Sequence, residues 1–135
     1  MLFRSVPRQV VAPVVERIEE MPAGTIGFKV LKELTGDDYR ERIEPVLAEA
    51  VETGEVRLLF EIDDGFGMDA GAVVEDAKTG LKLGLGHMKA WKRTAVVTDV
   101  DWIRKGIKAF GFMSPGEVKA FDPAELGAAK VWVAE

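Results

Sequence analysis

The 135-residue chain reads as one small α/β domain, a sandwich with a mixed, mostly parallel sheet of about five strands and helices on both faces. Three observations predict this class. Short apolar runs of strand character alternate along the chain with segments of helical spacing. Within Arg93–Phe112, an apolar strand over 94–98 ends in Asp99, and an amphipathic helix carrying Trp102, Ile103, Ile107 and Phe110 follows at once. This is half of a strand–helix–strand unit. Val56–Ile62 (VRLLFEI) is mostly apolar, as expected where both faces of a strand are covered.

The elements follow in order. Residues 1–13 read as an irregular arm, because Pro7 and Pro13 interrupt regular pairing. The domain proper runs from 14 to 135. Val14–Glu20 alternates weakly and predicts an edge strand. Met21-Pro22-Ala23-Gly24 signals a turn, and Thr25–Leu31 predicts an antiparallel partner strand. Thr35 opens a helix over 36–53, with Asp37 and Asp38 at its positive end. Tyr39, Ile43, Val46, Leu47, Ala50 and Val51 keep helical spacing, while Pro45 is expected to kink the helix by displacing the carbonyl of Glu41. Gly54 suits the C-terminal cap.

After strand 56–62 comes the acidic, glycine-rich loop Asp63–Met68, and Asp69 begins a helix carrying Val73, Ala77, Gly80, Leu81, Gly84 and Met88. Strand 94–98, helix 100–110 and strand 117–121 follow, and a last helix starts at Asp122-Pro123.

Composition bounds the function classes. A chain of this size buries enough surface for a real core. It contains no cysteine, hence no disulfide framework or thiolate chemistry. No apolar run approaches the ~20 residues that span a bilayer, and the N-terminal residues lack the apolar run of a signal peptide. A cytoplasmic location is expected. The net charge of −5 is uneven: 78–108 carries +6 and the remainder −11. Such asymmetry favours self-association or an anionic partner, beside the simpler reading of solvent-exposed lysines. Nucleic acid is not expected, because the chain is acidic overall and carries no binding motif for it.

Laid out this way, residues 14–134 resemble the SpoIIAA-like family, a branch of the STAS-type domains related to anti-sigma-factor antagonists. The resemblance rests on Thr35-Gly36-Asp37-Asp38-Tyr39, Val56–Phe60, Glu75-Asp76-Ala77-Lys78, Ala95–Trp102, Phe110–Met113 and Pro115–Val118. It implies a small α/β sandwich acting as a regulatory or protein-interaction module and not as an enzyme. The antagonists carry a phosphorylated serine at the start of the helix after the third strand. Here that region reads Gly67-Met68-Asp69-Ala70-Gly71, so the serine switch is not carried over.

No motif specifies a reaction, and no catalytic residue, cofactor or metal ligand set is assigned. Gly65-x-Gly67-x-x-Ala70 has the look of a dinucleotide fingerprint. Yet Asp63 and Asp64 stand where a pyrophosphate needs positive potential, so a plain strand-to-helix turn fits better. Asp63, Asp64 and Asp69 form a possible acidic loop site, with Glu61, Asp99 and Asp101 nearby in the pattern, but their spacing is not that of a calcium loop. His87 is the only histidine, and neither Ser5 nor Ser114 sits in a nucleophile elbow. Trp102, Lys105, Phe110, Phe112 and Met113 mark a possible ligand or partner surface. The leading expectation is a homodimer, or a complex with another protein, through this surface. The alternative is a small-molecule or lipid ligand in an apolar pocket near 102–113.

Overall fold

The computed structural model describes residues 15–31, 35–62, 88–113 and 116–135, the side chains of Met88, Phe110 and Met113 excepted. The strands are β1 (Val15–Arg17), β2 (Ile26–Val30), β3 (Val56–Ile62), β4 (Trp91–Thr98) and β5 (Glu117–Phe121). The helices are α1 (Gly36–Asp38), α2 (Glu44–Glu52), α3 (Asp101–Phe110) and α4 (Leu126–Ala134). The sheet order is β1-β2-β3-β4-β5, with β1 antiparallel to β2 and every other pair parallel. The expected class, a mixed and mostly parallel five-stranded sheet with helices on both faces, is the one observed.

Strand register assigns the faces. Phe28 pairs with Phe60, Phe60 with Val96, and Val96 with Ala120, so these four share one face. On that face Phe28, Val30, Val56 and Leu58 bury against Tyr39, Ile43, Leu47, Ala50 and Val51. The other face carries Leu59, Ala95, Val97 and Phe121, buried against Ala129 and Val133 of α4. β3 is therefore packed on both sides, which accounts for its consecutive apolar residues Leu58, Leu59 and Phe60.

The helix start at Thr35 is a reciprocal cap. Thr35 Oγ1 accepts the Asp38 amide at 3.1 Å, and the Asp38 carboxylate accepts the Thr35 amide at 3.2 Å. The proline irregularity takes a different form from the expected kink. Tyr39–Ile43 is a π-helical turn, in which the Glu44 amide donates to the Tyr39 carbonyl, and Pro45 falls in the first turn of the renewed helix. A proline is tolerated there because that amide has no intrahelical partner to lose.

Two strand bounds differ from expectation. β1 is shorter than 14–20, and β4 begins three residues before 94, at Trp91. Its first residues pair with Val56 and Arg57 across an irregular register. The last helix starts as a 3-10 turn, Pro123–Glu125, capped reciprocally by Asp122 and Glu125. The arm 1–13, the loop Asp63–Met68 and the helix from Asp69 lie outside the described residues, as do Asp63, Asp64, Asp69 and His87.

Candidate interaction surface

The carboxyl ends of β4 and β5 are tied together through α3. Thr98, the last residue of β4, is fully buried, and its hydroxyl oxygen accepts the Val100 amide at 3.1 Å. That bond turns the chain from strand to helix, in the manner of a local side-chain turn. One turn into α3, Arg104 Nη1 donates to the Thr98 carbonyl at 2.9 Å and lies 3.1 Å from Asp122 Oδ1, just beyond β5. Arg104 thus pins α3 across two neighbouring strand ends.

α3 is strongly two-sided. Ile103 and Ile107 are half-buried toward the sheet, while Asp101, Trp102, Lys105, Lys108 and Ala109 are exposed. Lys105 lies 2.9 Å from Asp101, four residues earlier on the same exposed face. Trp102 is 60% exposed, and Phe112, in the 3-10 turn Gly111–Met113, is 85% exposed. Trp102, Lys105, Ala109 and Phe112 follow one another at helical spacing along this outer stripe. Of the five surface residues read from the sequence, Trp102, Lys105 and Phe112 are therefore solvent-facing. The side chains of Phe110 and Met113 lie outside the description.

Between α3 and β5 runs a groove of about 450 Å³ lined by Arg104, Lys105, Ile107, Lys108, Val118, Lys119 and Ala120. It mixes cations with short apolar walls. Sequence reasoning did not find it. Its cations belong to one helix and its floor to a strand that follows, and only the α3–β5 packing brings them together.

Of the oxygen donors considered as a cation site, Glu61, Asp99 and Asp101 lie among the described residues. Glu61 is half-buried at the end of β3, Asp99 is exposed, and Asp101 engages Lys105. Among the described residues no group of three potential metal ligands forms. Within the same residues no helix is long and apolar enough to cross a membrane.

The fold is that of the SpoIIAA-like class. The SpoIIAA-like family model matches residues 25–134, and the chain belongs to that family. Among solved structures it is similar to an uncharacterised protein of the DUF3478 family from Shewanella loihica, which has a SpoIIAA-like fold. The two are 26% identical with a TM-score of 0.62, over 88% of this chain and 93% of the other. No curated protein matches the chain.

Proposed function

We propose that the protein is a non-enzymatic interaction module of STAS type that associates with a second copy of itself through the outer stripe of α3. The observation that carries this reading is the exposure of Trp102 and Phe112, two large aromatic side chains on one stripe. Buried aromatic anchors supply most of the energy of protein interfaces. Lys105 and Lys108 flank them, and the remainder of the chain is acidic, so a second copy offers complementary charge. The absence of a serine from Gly67-Met68-Asp69-Ala70-Gly71, the region where the antagonists carry theirs, supports a contact not gated by phosphorylation there. The lack of cysteine suits a reducing, cytoplasmic setting.

The competing reading, an apolar ligand pocket near 102–113, has less support. Trp102 and Phe112 turn to solvent instead of enclosing a cavity, and the groove beside α3 is lined by three of its cations.

Sedimentation of the unmodified protein at ~100 μM, beside Phe112→Asp, tests the proposal. That concentration detects association of roughly 5.5 kcal/mol or stronger. A dimer for the unmodified chain and a folded monomer for the variant are expected. A monomeric unmodified chain defeats the proposal.

A further inference from the structure

The groove between α3 and β5 shares Lys105 with the outer stripe of α3, but its β5 edge is a feature the self-association does not use. β5 is the last strand of the sheet, so one side of its main chain pairs with β4 and the other has no strand beside it among the described residues. No backbone bond from Glu117–Phe121 to a turn or loop occurs among those residues either. An open edge is a template for an added strand.

α3 walls this edge with Arg104, Lys105 and Lys108. Arg104 is held in place by Thr98 and Asp122. Among the described residues Lys105 pairs only with Asp101, both more than three-quarters exposed, a kind of pair that water and salt weaken to little. Lys108 has no carboxylate partner among the described residues. Lys119 sends its ammonium to the opposite face, 5.1 Å from the Phe121 ring centroid, so it leaves only main chain and stem at the groove.

The spacing favours one kind of occupant. Arg104 and Lys108 are four residues apart on a helix, which is about 6 Å along its axis. Alternate residues of an extended strand are about 6.6 Å apart. We propose that this groove takes an extended acidic segment of another protein, added as a sixth strand to the β5 edge, with carboxylates at alternate positions facing Arg104 and Lys108. Two copies of β5 fit less well: antiparallel pairing centred on Lys119 sets that lysine opposite itself, a like-charge contact.

The test uses the full chain, isotope-labelled for amide NMR, and a capped nonapeptide of alternating glutamate and threonine. Saturable shifts and slowed amide exchange at Val118–Ala120 are expected. Lys108→Glu, at an exposed helix position, should keep the native spectrum and bind about tenfold more weakly. The same peptide with its backbone nitrogens methylated on one edge should no longer slow exchange, since it cannot complete the strand pairing. Three results overturn the proposal: no protection at Val118–Ala120, equal protection by the methylated peptide, or unchanged affinity in Lys108→Glu. Anionic phosphatidylglycerol vesicles that shift these amides while the peptide does not also overturn it, in favour of a membrane surface. Recording the spectra at a concentration where sedimentation shows only monomer separates these results from self-association through the α3 stripe, which Lys108 also flanks.

Discussion

The Arg93 guanidinium lies over the Trp132 ring, 4.9 Å from its centroid, and its Nη1 donates to the carbonyl of that same residue at 2.8 Å. One residue on, the Val133 carbonyl accepts from Arg57 Nη1 at 3.0 Å. The last carbonyls of a helix lack the usual amide four residues on; the Trp132 carbonyl also accepts the Glu135 amide at 3.2 Å, and two arginines from adjacent strands add positive charge at the negative dipole end. The C-terminal helix is thereby fixed to β3 and β4 at its far end, in addition to the packing of Ala129 and Val133.

Arg93→Lys should destabilise the fold by about 1 kcal/mol, because an ammonium cannot both stack on the ring and reach the carbonyl in the guanidinium's geometry. Arg57→Ala should cost a similar amount. The double variant should depart from additivity, since the two side chains serve neighbouring carbonyls of one helix turn. Urea denaturation of the four proteins measures this. Additive losses would show that the two arginines act independently.

Gly116 and Gly54 separate backbone strain from steric clash. Both have positive φ, +74° and +87°. A Cβ at Gly54 meets nothing within 4 Å, whereas one at Gly116 would stand 2.6 Å from the Trp91 carbonyl oxygen and 2.8 Å from that of Lys92. Gly54→Ala should cost only the left-handed conformation, about 1 kcal/mol. Gly116→Ala adds a clash with the backbone of β4 that no rotamer relieves, so a loss of about 3 kcal/mol is expected. Equal melting temperatures for the two variants would refute this account.

Legibility in the sequence follows how local each cause is. β3 and β5 are readable to their observed bounds because Gly54 and Gly116 sit just before them and their apolar residues face the packed layers. The start of β4 is not. Trp91-Lys92-Arg93 looks polar, and Arg93 is half-buried beside Glu117, Trp132 and Glu135, which come to it from 24 to 42 residues away. The surface was partly legible. Trp102 and Phe112 stood out as large apolar groups around a helix end, but exposure is a property of packing and could not be read from spacing. The groove was invisible for the same reason.

Pro45 tests whether a side chain or the core dictates the π turn. The buried stripe Tyr39, Ile43, Leu47 and Val51 repeats every four residues. In a regular helix, at 3.6 residues per turn, Tyr39 and Val51 would point about 120° apart. The extra residue of the π turn cuts this to about 20° and keeps both in the core. The turn should therefore survive Pro45→Ala, with the Glu44 amide still bonded to the Tyr39 carbonyl. Stability should change by less than about 1 kcal/mol, as the new amide lies in a first turn that leaves its donors unpaired. A crystal structure of the variant with one regular helix over 36–52 would show that the proline, not the stripe, sets the turn.

The self-association surface makes a graded prediction. Phe112 is almost wholly exposed and its replacement touches neither buried cluster, so Phe112→Asp should fold, abolish the proposed association and match the unmodified chain's unfolding midpoint at concentrations where both are monomeric. An unpaired charge at an apolar contact is the cause, since burying it without a partner is costly. Trp102→Ala, on the same stripe, should weaken association by about 2 kcal/mol or more, as expected of an aromatic anchor near the middle of an interface. Lys105→Glu should act more weakly. Its ammonium is exposed, so its contribution is to the rate and salt dependence of encounter, and the difference from the unmodified protein should fade as ionic strength passes ~0.15 M, where the Debye length falls to about 8 Å. Sedimentation across a salt series resolves the three. If Phe112→Asp unfolds the chain, the stripe belongs to the core; if Lys105→Glu matches it at every salt concentration, charge and not the aromatic pair holds the copies together.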